Sequence, residues 1–521
     1  MSITGSQNTE DYCGSKNEFS SWITEAIWGH RLERQPPSAL LLEFLGMAEA
    51  MFRKGQLLAI TSPGENVSYQ ANLSLHLRSI LFNNPRMDEI RDRCRGSEEE
   101  SWGSWLAEMK QSAAVGEKFA ADFSFLRGRF TAFNDLVARV SLLRRISMDR
   151  DGGRSWTEQL LFPIGPAGLF EPVYNDLNRH RVLFTRTGEI AYLMLSRASE
   201  PLRASLREKL ARLFNPKTSR NKLLLSLIPT PEPDAGTLKG GAYLPYKWHP
   251  AYDRLAEDVE GLLSLELPDQ DAFDHLEPIL ALNLYLYGIE TANSWIGKQG
   301  LPPLACEILS PQMDIVRKAS VGTFTDNEGL GVLAVRRFAE NIIQSSPDVT
   351  AKLNSDDLNE EAKAELLTEH VSTKASIDKT AVEAADHRAV RANFVALADA
   401  AYRDGMAGAL QGLASVAGLA SRHKTNRTRY APKDKLLQAL VLANVTSQVE
   451  ESDLLQRLHE RYRLIIGPEE AQQSMPPGLC EEADFKKNKE RFGRHLIGLG
   501  LAQRMSDACT YIRNPFYRTS Q

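Results

Sequence analysis

Apolar residues recur at helical spacing through most of the 521-residue chain. Leu40, Leu41, Phe44, Leu45, Ala48 and Met51 share one face, which predicts a helix directly after Pro36 and Pro37. Residues 1–35 read as a loosely held arm that ends at Pro36 and Pro37. Between Gln56 and Asn84 the pattern is mixed. Leu73, Leu75 and Leu77 alternate as in a strand, but Ile80, Leu81 and Phe82 break the alternation. From Met87 to Met148 helical spacing returns, interrupted by glycines. The acidic run Glu98–Glu100 marks a helix start ahead of Trp102 and Trp105, because negative charge suits a helix N-terminus. Pro163, Gly165, Pro166 and Gly168 make the segment Phe162–Phe170 a loop. Gly188 reads as a turn leading into Glu189–Ser196. Helical text follows over Leu202–Phe214, Arg220–Leu227 and Tyr252–Trp295, with Leu280, Leu284, Tyr287 and Ile289 as core positions.

The Pro/Gly-rich stretch Pro229–Pro245 predicts a linker. Between Asn354 and Glu369 six acids (Asp356, Asp357, Glu360, Glu361, Glu365, Glu369) face a single Lys363, the composition of a solvated helix or connector. These breaks divide the chain into an arm (1–35), an α-rich domain (36–228), a helical middle domain (246–345), a charged, Ala-rich connector (346–420) and a C-terminal domain (421–521). The fold class expected is mainly α and multidomain, with minor β.

Composition is that of an ordinary globular chain, 42% apolar and 25% charged. Five dispersed cysteines (Cys13, Cys94, Cys306, Cys480, Cys509) form no CxxC pair, which argues for reduced thiols rather than a disulfide framework or zinc cluster. The polar, acidic start of the chain lacks the features of a signal peptide. The most apolar stretch, Gly405–Ala420, is shorter than the ~20 residues a membrane span needs and contains Gln411. Its Gly408–Gly412 spacing suits a tight helix contact. A cytoplasmic protein without membrane insertion is expected.

The net charge of −5 conceals a segregation. Residues 421–521 carry seventeen Lys/Arg against twelve Asp/Glu, a net of +5, which leaves the rest at −10. Such polarity directs the tail towards an anion. Its densest part, Ser421–Lys435, holds Arg422, Lys424, Arg427 and Arg429 among short hydrogen-bonding residues that suit phosphate oxygens. The same composition also serves a solvated linker.

Lys433–Asn444 reads as a helix with Leu436, Leu437, Leu440 and Val441 inward, and Glu451–Tyr462 as a second with Leu454, Leu455 and Leu458 inward. Asp484 caps a third, beginning at Phe485. At 100° per residue, Phe485, Phe492, Leu496 and Leu499 fall within about 60° of one another, with Lys486, Lys487, Arg491 and Arg494 opposite. Leu501–Arg504, Ser506–Asp507 and Cys509–Arg513 then read as a β-hairpin. This order of elements resembles a winged helix-turn-helix domain, over about a fifth of the chain. The resemblance implies a third helix in the major groove of duplex DNA and a wing on the backbone or minor groove. Carried over, the groove-facing residues are Lys486, Lys487, Arg491 and Arg494, with Arg504, Arg513 and Arg518 on or after the wing. Long cations with little Asn or Gln among them suit phosphate contact better than base readout. The long proline-rich loop Ser474–Leu479 departs from a tight helix-turn-helix. Winged helices also dock on proteins.

No GxxxxGK[ST], GxSxG, HExxH or kinase motif occurs. His249 with Asp253, and Asp271, Asp274, His275 and Glu277, could be drawn as metal sites, but the first reads rather as a loop-to-helix junction capped by His or Asp and the second as a solvated helix start. Glu171 and Glu189, with Arg181, Arg186 and Arg197, could line a small-molecule pocket or form buried ion pairs. The function expected is that of a non-enzymatic, duplex-DNA-binding accessory protein without cofactor or metal. Its large helical body and tail are similar in look to uncharacterised accessory proteins of bacterial DNA-defence or DNA-maintenance operons. That resemblance implies a partner ATPase or nuclease. Two alternatives stay open: a protein-docking scaffold of kleisin-like type, and a metal-dependent nuclease with a cryptic site.

Overall fold

The computed structural model describes residues 4–5, 19–30, 32, 37–62, 64–65, 67–69, 80, 87–94, 97–112, 122–148, 187–215, 217, 222–223, 225–227, 241–308, 314–422, 427–505 and 509–517. The loop Phe162–Phe170, the alternating leucines at 73–77 and Cys13 lie outside the described residues. The chain is mainly helical, with small sheets.

The first half contains β1 (Thr4–Gly5), α1 (Phe19–Trp28), α2 (Pro37–Arg53), β2 (Val67–Ser68), α3 (Met87–Arg93), α4 (Glu98–Ser112), α5 (Phe125–Arg129), α6 (Phe133–Met148), α7 (Thr187–Ser196) and α8 (Glu200–Leu213). The middle runs β3 (Gly241–Ala242), β4 (Tyr246–Trp248), α9 (Pro250–Leu263), α10 (Asp269–Trp295), β5 (Leu304–Ala305), α11 (Ile315–Ile343), α12 (Pro347–Asn354), α13 (Glu360–Ala375), α14 (His387–Asp404) and α15 (Met406–Val416). The remainder is β6 (Ala420–Ser421), β7 (Arg429–Tyr430), α16 (Asp434–Asn444), β8 (Val449–Glu450), α17 (Glu451–Tyr462), β9 (Leu464–Ile465), α18 (Pro468–Ser474), α19 (Glu482–Gly498), β10 (Ala502–Arg504) and β11 (Thr510–Ile512).

Helix α10 organises the core. Its residues Phe273, Leu276, Ile279, Leu282, Leu286, Tyr287 and Ala292 are all fully buried, although they point around the whole circumference. A helix apolar all round needs neighbours on every side. These are α9, α11, α15, α16 and α2. Two of its buried polar side chains meet partners on α9: Asn283 donates to Asp258 at 2.8 Å, and Glu290 accepts from Arg254 at 2.9 Å.

Two expectations about the chain's organisation need correction. Within the expected arm, α1 buries Trp22, Ile23, Ile27 and Trp28 in the common core. The Trp28 indole donates to the Gly288 carbonyl at 2.9 Å, and Tyr287 donates back to the Trp28 carbonyl at 2.8 Å. The expected connector, α12 to α15, also packs. Its six acids all face solvent as anticipated, while Leu367, Val371, Phe394, Ala398 and Leu413 of the same segment are buried. The small-residue helix α15 lies against α10, and no helix among the described residues is long and apolar enough to cross a membrane.

Gly188 is likewise not a turn but lies in the first turn of α7, where a Cβ would stand 2.2 Å from the Leu40 carbonyl oxygen of α2. The requirement is close approach between two helices.

The C-terminal elements are bound to this body by buried polar groups. Asp258 of α9, fully buried, accepts from Arg461 at 2.6 Å, Tyr462 at 2.5 Å and Asn283 at 2.8 Å. Removing one member of such a set strands the others without water. Asp258→Ala is therefore expected to lower the free energy of unfolding by about 3–5 kcal/mol, and urea denaturation of the full chain will measure it.

Candidate nucleic-acid interface

Residues 434–517 follow the order helix α16, strand β8, helix α17, strand β9, helices α18 and α19, and the β10–β11 hairpin. Strands β10 and β11 pair antiparallel, Ala502 opposite Ile512 and Arg504 opposite Thr510, and β11 also pairs with β8, Ile512 opposite Val449. The result is a three-stranded sheet ordered β10–β11–β8.

The long connection between α17 and α19 is not a slack loop. It contains β9, which pairs parallel with β5 of the body, Leu304 opposite Leu464 and Ala305 opposite Ile465. Helix α18 and a 3-10 turn at Pro477–Leu479 follow. Beside this ladder, Asn488 of α19 is fully buried. Its amide donates to the carbonyls of Cys306 and Ile466, both at 2.9 Å, and accepts from the Ile308 amide at 2.8 Å.

Helix α19 turns its two sides as its periodicity requires. Phe485, Phe492 and Leu496 are fully buried and Leu499 partly so. Lys486, Lys487, Glu490 and Arg494 face solvent. Lys487 makes only a loose 3.5 Å contact with Asp484, and Arg494 reaches the Glu490 carbonyl at 3.3 Å. On the hairpin and just after it, Arg504 and Arg513 are exposed. These five cations form the solvent-facing basic set of α19 and the hairpin.

Two of the expected contacts are withdrawn by the structure. Arg429 is buried and its guanidinium pairs with the buried Glu307, which also takes Arg317 at 2.6 Å. A cation desolvated against a buried carboxylate of this kind is not offered to a phosphate. Arg491 is half-buried and leans 3.4 Å from Asp314, the residue that caps α11. Arg422 and Arg427 are exposed at the far end of the β6–β7 hairpin, while Lys424 and Arg518 lie outside the described residues.

The β6–β7 hairpin and α19 are neighbours through residues 304–308. The Glu307 amide donates to the Tyr430 carbonyl at 2.9 Å, and the next amide, that of Ile308, donates to Asn488. Sequence reasoning missed Asn488, Glu307 and Asp258. A signal existed only for Asn488, a polar residue placed in the apolar arc of an amphipathic helix.

The other candidates resolve as structural groups. His249 caps α9, accepting from the Ala251 amide at 3.1 Å, and burial with the nearby Arg254 holds its pKa well below the usual value. Asp253 accepts from the Ser199 amide at 2.6 Å. Glu277, buried rather than solvated, takes Lys435 at 2.7 Å, and Asp274 lies 3.7 Å from the same ammonium. Arg197 is buried and donates to the carbonyls of Ser62, Leu244 and Tyr246 at 2.6–2.9 Å. Glu189 is fully buried and hydrogen-bonded by the Tyr69 hydroxyl, whereas Glu171, Arg181 and Arg186 lie outside the described residues. Among the described residues no cluster of three His, Cys, Asp or Glu side chains is arranged to hold a metal ion. The four described cysteines are free thiols.

Beneath α19, Glu451 packs onto Gly493, where a Cβ would stand 2.6 Å from its Oε1. Burial pushes the Glu451 carboxyl up to about 7, against a partial pull from Lys489. The folded state then holds a proton that the unfolded chain has lost from about pH 4.5 upward. Stability contributed by this group is present below about pH 4.5 and is lost as pH rises through 7. Glu451→Gln should therefore raise stability at pH 8, by roughly 1–2 kcal/mol after allowance for solvent screening, with no gain at pH 4. Denaturant titrations at the two pH values test this.

No protein-family model, no curated protein and no solved structure matches the chain.

Proposed function

We propose that the chain binds duplex DNA through residues 434–517 acting as a winged helix. The observation that carries the reading is the exposed face of α19, Lys486, Lys487 and Arg494, set beside a paired hairpin with Arg504 and Arg513 exposed. The antiparallel β10–β11 hairpin directly after α19 supports it, because a wing is expected to follow the third helix. The cations are long and accompanied on their face by one acid, Glu490, which favours phosphate contact without base readout. The exposed Arg422 and Arg427 extend the basic surface along the duplex backbone. In this reading the chain is an accessory subunit and catalysis belongs to a partner ATPase or nuclease.

A specific observation favours a second reading, a protein dock. Among the described residues Ile497, Met505, Phe516 and Tyr517, all in this same unit, are exposed large apolar side chains. Exposed apolar groups rimmed by charge are a common mark of protein contact.

The test uses the full chain, since β9, Asn488 and Arg461 tie the unit to the body. Binding to a random duplex across a salt series should fall steeply with salt, with a log–log slope of about 0.9 per phosphate neutralised. Reversing Lys486, Lys487 and Arg494 to Glu should weaken binding at least about 100-fold and lower the slope by about three. Arg429→Ala should instead lower the melting temperature. Absence of binding at low salt would overturn the DNA reading and leave the protein dock.

A further inference from the structure

A cavity of about 540 Å³ opens on the body between the C-terminal end of α10 and the second half of α11. Ser294, Trp295, Ile296, Leu333, Arg337 and Asn341 are among the residues that line it. That volume falls within the range of small-molecule sites, roughly 300–1,000 Å³. Its apolar part is unusual for its openness: Leu333 is 46% exposed, on a helix that otherwise buries its apolar face. Trp295 forms the floor, 6% exposed, with its indole nitrogen committed to the Tyr246 hydroxyl at 2.8 Å. The indole therefore offers a ligand its ring and not its donor.

The charges around this apolar patch do not cancel. Arg336 is held by both oxygens of Asp399, at 2.9 and 3.0 Å. Glu340 is held by Arg391 at 2.9 Å. Each acid thus has its own cation, and Arg337, exposed between them in sequence, has no ion-pair partner among the described residues.

From this geometry we infer a second binding site, separate from the basic C-terminal face, for a small amphipathic carboxylate. The apolar group of the ligand rests on Trp295, Ile296 and Leu333, and its carboxylate meets Arg337, with Asn341 as a neutral hydrogen-bonding neighbour. A guanidinium recognises a carboxylate through paired hydrogen bonds, so loss of the ligand's charge should be felt directly.

Calorimetric titration of the full chain with indole-3-propionate, and with its neutral amide, tests the assignment. The acid should bind saturably at one site and at least about tenfold more tightly than the amide. Arg337→Gln should erase that preference, and Leu333→Ser should weaken both ligands. Both side chains are exposed, so the melting temperature should stay unchanged and a folding defect would not mimic the result. Equal binding of acid and amide, a preference that survives Arg337→Gln, or no saturable binding of the acid would each overturn the site. DNA binding plays no part in this measurement, so the two readings stand or fall separately.

Discussion

A helix with apolar residues around its full circumference must be surrounded, and α10 is such a helix. Burying it obliges α2, α9, α11, α15 and α16 to approach from different sides, and so draws distant parts of the chain into one continuous core. The same burial dictates the polar chemistry of the interior. Asn283, Glu290 and Thr291 sit on α10 where water is excluded, and each is answered: by Asp258, by Arg254 and by the cap residue His249. Asp258 then reaches across to Arg461 and Tyr462. The attachment of the C-terminal elements is thus a consequence of satisfying a buried carboxylate.

The segment 304–308 plays a comparable part on the other side. Within five residues it pairs with β9, receives Asn488 of α19, and hydrogen-bonds the Tyr430 carbonyl. Tyr430 is itself buried against Tyr285, with their hydroxyls 2.5 Å apart, and receives the Asn327 amide at 2.9 Å. Helix α19 is consequently supported from beneath by fixed polar partners and packed phenylalanines. Only its outer face is left to meet another molecule.

Much of the helical layout was legible in the residues. The 3.6-residue spacing located α2, α8, α17 and α19 and ran α9 and α10 together as one helical piece, and the acids Glu98–Glu100 marked the start of α4. Capping by His249 and the outward direction of the six acids at 356–369 followed from composition alone. What escaped was long-range. Two-residue strands such as β5 and β9 are too short to show alternation, and nothing local says that Leu304 will lie beside Leu464. Charge was misleading for a related reason. Arg429 and Arg422 look alike in a basic run, yet one is buried on Glu307 and the other faces solvent. The distinction depends on a carboxylate more than a hundred residues away. The first helix was missed although Phe19, Trp22, Ile23, Ala26 and Ile27 recur at helical spacing, because the long polar stretch ahead of them set the reading of the whole segment.

The parallel pairing of β5 with β9 also bears on how the molecule reaches its native state. Parallel neighbours cannot be joined by a tight turn, and here the intervening chain includes α11 to α17. Closing so large a loop has an entropic cost that is recovered only when both strands are in place. The ladder, and with it the seating of Asn488, belongs among the late events of folding. Until then α19 would have its phenylalanines and its cations in water together. Burial of the phenylalanines beneath the basic face and completion of the body are in this sense one cooperative step.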